Sequence, residues 1–349
     1  MSERAAPSAP SGGWIADPSI PWRIVLSADL AAPLAHDAAC ARLSKLRRDQ
    51  GWPGTSAVSV ADDFEALRRD LGNERAGEVA LGLSADGRRI VVSAHHSAVD
   101  GLGLLAVLSA LAAVPVTSSA HGVGERPDSS GPVGTIASRL VEAVATPPAR
   151  IAAARPTDPA PFDVYVERDV PGAVRTAALV VAGARGVAAH NRTAVPRSRT
   201  RHVAVAVGVT REARSDSIAD RSALLRLRDV ERLDVETVKN ALHHAATQRA
   251  VQGSGGRAGV LRLGLRALAP RLGSTLLVSH LGTVSAPGVE SLTFHPVTAG
   301  GSGVALGAVT FEDTTATMTS RLTLRARGKD WTHEGLERLL EAVVTEVLP

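Results

Sequence analysis

VVSAHHSAVDGLG, residues 91 to 103, joins the two structural periods from which the rest of the chain can be read. Its first half completes GRRIVVSAHH (87 to 96), a strand rich in β-branched residues that an Asp86-Gly87 turn links to a preceding strand, GEVALGLSA (77 to 85). Its second half opens DGLGLLAVLSALAAV (100 to 114), which is apolar on nearly every side and therefore a buried helix, with Asp100 placed to cap it. The end of a strand is where a rigid sheet can hold a side chain in a cleft. Successive strand side chains point to opposite faces, so His95 and His96 cannot both meet one substrate, and one acts while the other supports. A plainer reading makes both histidines hydrogen-bonded core residues and Asp100 a simple N-cap.

Working outward, IPWRIVLSADL (20 to 30) reads as a strand and 31 to 51 as a helix with arginines in its last turn and a closing glycine. A short helix is expected over 62 to 72. Between 115 and 163 the composition turns rich in Pro, Gly and Ser around one helical stretch (135 to 145), the pattern of a crossing linker. Strands follow at 163 to 170, 201 to 209 and 222 to 230, with helices at 173 to 192 and at 234 to 251, the latter capped by Asp234. Apolar segments at 259 to 273 and 274 to 286, a hairpin over 303 to 327 and a helix over 332 to 348 close the chain. Neither half alternates strand and helix strictly, so two facing α/β (α+β) sandwiches are expected rather than a doubly wound sheet. The expected divisions are a flexible start (1 to 14), an N-terminal lobe (15 to 116), the linker (117 to 162) and a C-terminal lobe (163 to 349).

The order His95-His96-x-x-x-Asp100-Gly101 resembles the HHxxxDG signature of the superfamily that holds chloramphenicol acetyltransferase, nonribosomal peptide condensation domains, wax-ester synthases and polyketide-associated acyltransferases. The resemblance implies two similar lobes in a V with an active-site tunnel between them, a donor thioester entering from one side and an acceptor from the other. It gives His96 the role of general base, His95 a supporting one, and Asp100 an architectural one through a pairing with an arginine. Arg23 on the first strand is the candidate for that pairing, with Arg88 and Arg89 as rivals. Gly101 would let the backbone turn tightly and approach the site. An imidazole with a pKa of roughly 6.5 is neutral at pH 7 and can take a proton from an attacking hydroxyl or amine. Attack creates an oxyanion that needs a donor.

A second likeness lies in LLVSHLGTVSAPG (276 to 288), where the superfamily often reads Ser-Asn-x-Gly and this chain reads Ser279-His280-Leu281-Gly282. In the acetyltransferase branch a serine on a comparable strand donates to the oxyanion, which makes Ser279 the candidate here; an ordinary strand serine is the alternative. The asparagine's replacement by His280 removes whatever its amide contacts in relatives. No Asp-Phe-Gly-Trp-Gly segment is present, which argues against the plant-type branch.

The implied activity is transfer of an acyl group from a coenzyme A or carrier-protein thioester to a hydroxyl or amine acceptor in specialised metabolite biosynthesis. The same fold and histidine could instead serve cyclisation, elimination or chain release, or the chain could bind a carrier protein without catalysis. No permanently bound cofactor and no metal are expected; an acyl-CoA or phosphopantetheinyl thioester is the co-substrate, a small molecule the acceptor, and an acyl or peptidyl carrier protein an admissible partner.

Composition narrows the rest. The chain of 349 residues has a net charge of +4, scattered basic residues and 3 % aromatics, which leaves little for nucleic-acid binding. No run of about 18 apolar residues suggests a membrane span, and a cytoplasmic location is expected. The single cysteine, Cys40, excludes an internal disulfide and reads as a buried apolar residue. Three weaker signals lack their context. The glycine loop at 253 to 259 follows a helix rather than a strand, His243-His244 form no metal motif, and 300 to 303 lacks the spacing of a nucleophile elbow.

Overall fold

Alternation along two strands builds the first layer of the computed structural model, which describes residues 20–53, 57–74, 77–123, 146–194, 202–211, 218–245, 273–298, 303–312 and 317–348. In β1 (Arg23–Leu30), Ile24, Leu26 and Ala28 face one way and Val25 the other. In β4 (Arg89–His95), Ile90, Val92 and Ala94 share the first face, and Val91 the second. The first face is covered by α1 (His36–Gln50) through Ala39, Leu43 and Leu46, and by α3 (Gly101–Ala112) through Leu104, Leu105, Val107, Leu108 and Leu111. Each of these buried α3 side chains stabilises the fold by about 1.5–3 kcal/mol relative to exposure. The second face receives α2 (Phe64–Asn73) through Phe64, Leu67 and Leu71.

The first sheet has five strands in the order β10-β1-β4-β3-β2, with β2 at Val58–Ala61, β3 at Val79–Ser84 and β10 at Val289–His295. Here the expected domain boundary fails. The second lobe was expected to hold everything from 163 onward, yet β10 pairs antiparallel with β1, Val25 opposite His295 and Ser27 opposite Thr293. No strand is expected from the sequence at 289–295 and none at 58–61. The latter is a four-residue edge strand with two exposed positions, too short for a periodic signal.

The second sheet runs β6-β12-β11-β9-β7-β8, with the two-residue β5 (Thr117–Ser118) paired to β9. Its strands are β6 (Asp163–Pro171), β7 (Val205–Thr210), β8 (Ser222–Leu227), β9 (Leu276–Ser285), β11 (Val304–Glu312) and β12 (Met318–Arg327). The expected hairpin is the antiparallel β11–β12 pair, while β9 lies parallel to both β7 and β11. Among the described residues, three α-helices accompany this half: α4 (Thr176–Ala194), α5 (Val235–His244) and α6 (His333–Val347). The glycines of α4, which weaken its helical pattern in sequence, are contact points. A Cβ on Gly186 would sit 2.8 Å from the Val343 backbone of α6.

Buried charge ties the sheets together. Arg325 of β12, fully buried, pairs with Asp163 of β6 at 2.8 Å and donates to the carbonyls of Arg23 on β1 (2.6 Å) and Gly72 on α2 (3.0 Å). Arg68 of α2 meets Glu167 of β6, which also contacts His295 of β10 at 3.1 Å. Cys40, expected to be buried, is half-buried with its Sγ 3.6 Å from His36 Nε2. The flexible start at 1–14, the helical stretch at 135–145, the glycine loop at 253–259, most of 259–273 and Gly300–Ser302 lie outside the described residues. Among the described residues no helix is long and apolar enough to cross a membrane.

Candidate active site

The strand–turn–helix unit read from 91 to 103 delivers its groups to the seam between the sheets. The His96 backbone N–H donates to the Trp22 carbonyl at 2.8 Å, carrying the β1–β4 pairing one residue past the end of β4. The His95 carbonyl then accepts from the N–H groups of Ala98 (2.9 Å) and Val99 (3.3 Å), closing the turn. Alternation separates the two rings as expected. His95 sits across from Arg23 in the β1–β4 register, and its Nδ1 meets the Ser97 hydroxyl at 2.7 Å. Burial, then the nearby Arg23 guanidinium and His96, push the His95 ring below its ordinary pKa, which keeps it neutral.

His96 lines both of two cavities that meet at the seam. The larger, about 570 Å³, is polar along Arg175, Thr176, His121, Thr210 and Thr283. The smaller, about 240 Å³, is walled by Trp22, Ile24, Leu277, Phe294 and Val297. Five residues belong to both: His96, Gly101, Gly208, Ser222 and Ser279. They form the waist, and they come from both halves of the chain. The His96 side chain is 17 % exposed there, and its Nδ1 is buried 3.8 Å from Asp220 Oδ1.

Asp100 caps α3 by accepting from Gly103 N–H at 2.8 Å through Oδ1. Its Oδ2 reaches across the seam to the Thr210 hydroxyl of β7 (3.1 Å) and the Arg221 N–H (3.3 Å). Burial pushes the carboxyl above its ordinary pKa, and these three donors pull it back. The pairing expected between Asp100 and Arg23 is not formed. Arg23, fully buried, donates instead to the carbonyls of Glu74 (2.9 Å), Gly77 (2.8 Å), Glu78 (3.4 Å) and Ser93 (3.1 Å). It thus holds the turn before β3 rather than the motif. The rivals are engaged elsewhere, Arg88 with the Ala31 carbonyl and Arg89 with Glu65 and Asp29. Backbone and hydroxyl donors do for Asp100 what an arginine was expected to do.

Gly101 has no left-handed backbone, so the tight turn expected of it is not its requirement. Clearance is: a Cβ there would lie 2.8 Å from Leu281 Cδ2 of β9, closing the approach of helix to second sheet. Ser279 lies beside Gly208 in the β7–β9 register, and among the described residues nothing hydrogen-bonds its hydroxyl. His280 points its Nδ1 at the Thr176 hydroxyl (2.9 Å) at the start of α4, and burial pushes it down to about 4, so it is a neutral ring. Asp220, Ser222 and Gly208 were not found in the sequence. No spacing links them to the motif, because long-range strand pairing alone brings them to it. Among the described residues no group of three or more His, Cys, Asp or Glu side chains could hold a metal.

A scan against protein-family models and a search of curated proteins find no match to this sequence. Solved structures do match. A double mutant of the starter condensation domain of rhizomide synthetase RzmA, in complex with C8-CoA and Leu-SNAC, aligns over 95 % of this chain and 90 % of its own with a TM-score of 0.59 at 14 % identity. The cyclization-docking bidomain of EpoB from Sorangium cellulosum aligns over 96 % and 82 % with a TM-score of 0.56 at 12 % identity. The epimerization domain from the third module of tyrocidine synthetase B aligns over 93 % and 90 % with a TM-score of 0.53 at 11 % identity. At such identities the agreement concerns the path of the backbone. On that ground, and with its two sheets joined by the returning β10, this chain has the two-lobed fold of the nonribosomal peptide condensation, cyclization and epimerization domains.

Proposed function

We propose that the protein is an acyltransferase that moves an acyl group from a thioester to a hydroxyl or amine acceptor, with His96 as general base. The observation that carries this reading is that His96 belongs to both cavities at once, so substrates arriving in each would meet at one imidazole. Its Nδ1 is turned to Asp220, and Nε2 is the nitrogen assigned to the reaction at the waist. There Nε2 takes the acceptor's proton as its oxygen or nitrogen bonds to the thioester carbonyl carbon. The carbonyl oxygen gains the electron pair, and the Ser279 hydroxyl is the donor at hand for it. Collapse breaks the C–S bond, and the departing sulfur receives the proton held on Nε2, so no covalent enzyme intermediate is needed.

The two arms suit different parts of a donor. An aliphatic or aromatic acyl tail matches the walls of the smaller cavity, and a phosphopantetheine arm, of coenzyme A or of a carrier protein, matches the larger. Arg175 at that larger cavity offers a guanidinium to phosphate. Asp100, buried and fully engaged in capping, is assigned to architecture. A mutant RzmA starter domain in complex with C8-CoA supports a thioester as a ligand of this fold. Epimerization and cyclization domains share the fold, so the reaction itself needs a direct test.

That test compares His96→Ala with the wild type on a panel of acyl thioesters and acceptors, following free thiol and product mass. Loss of about 10²–10⁴-fold in turnover is expected on removing a general base. Thiol release at the wild-type rate in the mutant removes His96 from the reaction. A product mass without an added acceptor points to cyclisation, elimination or release, and binding without turnover to a carrier-binding role.

A further inference from the structure

We propose that Asp220 is a positioning residue for His96, holding its imidazole with the proton on Nδ1 and supporting the imidazolium that forms when Nε2 accepts a second one. The proposal rests on the acyltransferase reading for its catalytic consequence, and on geometry alone for the hold on the ring.

The Asp220 carboxylate is itself fixed. Its Oδ1 accepts from the Ser222 N–H at 3.0 Å and from the Ser222 hydroxyl at 2.5 Å, which sets its rotamer. The same Oδ1 stands 3.8 Å from His96 Nδ1, with the carboxylate 15 % exposed. An N–H···O contact relaxes to about 2.9 Å, so a shift of about 1 Å closes this one once the ring is charged. The placement is tied to the motif as well. Asp100 accepts from the Arg221 N–H through Oδ2, and its own N–H donates to the Ala219 carbonyl at 3.3 Å. The residues on either side of Asp220 are therefore clamped to the cap of α3, four residues after His96. One carboxylate, Asp100, registers the other against the base. A base oriented by a third group through its second nitrogen is the general pattern of activated nucleophile sites, reached here by a residue from the opposite half of the chain.

Among the described residues, the charged and titratable groups near the ring include Asp220 itself, Asp100, His121, Arg175 and His280 of the same cavity, and His95 with Arg23 beyond it on the first sheet. Asp220 is the carboxylate placed to meet Nδ1. Ser222 serves twice, lining both cavities and anchoring the carboxylate.

Asp220→Asn, Asp220→Glu and Ser222→Ala are to be compared with wild type and His96→Ala, by steady-state kinetics and by ¹⁵N NMR of protein labelled at histidine. Asp220→Asn is expected to lower kcat by about 10–100-fold with the thioester KM within twofold, since the carboxylate touches the base and not the donor. Asp220→Glu is expected to restore part of that loss. The His96 nitrogens are expected to show the Nδ1–H tautomer in the wild type and a shift toward Nε2–H in Asp220→Asn. Ser222→Ala, which deletes one hydroxyl, keeps the test open if Asp220→Asn does not fold, with a smaller fall in kcat and the same direction of tautomer change. An unchanged His96 nitrogen pattern in Asp220→Asn, or an unchanged kcat where His96→Ala is inactive, overturns the assignment. Full activity in His96→Ala instead overturns the acyltransferase reading, and the NMR result then decides the contact by itself.

Discussion

Replacing Asp100 by alanine removes three hydrogen bonds that join α3 to both halves of the chain. The Gly103 N–H loses its cap, which costs about 1 kcal/mol at a helix N-terminus. The Thr210 hydroxyl and the Arg221 N–H each lose one hydrogen bond to a buried carboxylate, at about 1 kcal/mol apiece. The expected destabilisation is therefore about 3 kcal/mol. Asp100→Asn serves as the control. Its amide oxygen can still cap Gly103 and it carries no charge to desolvate, while its NH₂ cannot accept from Thr210 or Arg221, so about 1–2 kcal/mol is expected. Urea unfolding at pH 7, with the slope checked for constancy so that the midpoint reports stability alone, measures both. Turnover is expected to fall in both, because the 219–221 segment that carries Asp220 loses its clamp. An Asp100→Ala variant within 0.5 kcal/mol of wild type and fully active would refute the role given to this residue.

Filling the smaller cavity should change which acyl chains are used. Ala223, 5 % exposed and in its wall, is to be replaced by leucine, and kcat/KM measured along a series of straight-chain thioesters. The optimum is expected to move to shorter chains, at about 1–3 kcal/mol for each methylene that no longer fits; an unmoved optimum places the acyl tail elsewhere. The ring of His280, half-buried at the larger cavity with its Nε2 shielded from solvent, predicts an acid-sensitive fold. Its folded pKa of about 4 lies below the unfolded value of about 6.5, so the unfolded chain binds the proton first. Stability is then complete above about pH 6.5 and falls as pH drops toward 4, by about 3 kcal/mol from this residue. His280→Asn is expected to flatten that descent in urea midpoints taken between pH 7.5 and 4.5, leaving the share of His295, also pushed down to about 4 by burial. An equally steep descent in the mutant would show that His280 is not buried as a neutral ring.

The strand, turn and helix around His95, His96 and Asp100 were legible because each is a local pattern: alternation, a short turn, an apolar helix behind a capping side chain. The opposed faces of the two histidines followed from the two-residue period alone. Arg23 was misassigned for the same kind of reason that the motif was found. Its place on β1 near the motif was right, but its guanidinium is taken up by the carbonyls of the turn at 74–78, and nothing local in the sequence records which carbonyls a turn leaves unpaired. Ser279 was singled out by resemblance and lines both cavities, whereas Ser222, which lines them too, gave no signal.

Residue order by itself determined the periodic elements and the unit that presents His96, because those depend on neighbours a few positions apart. Tertiary structure alone decided that β10 returns to the first sheet, that Asp100 is satisfied by Thr210 and Arg221, and that Asp220 stands beside His96 from 124 positions away. Strand pairing across such separations is selected by the burial of whole faces against one another, and no local spacing encodes it.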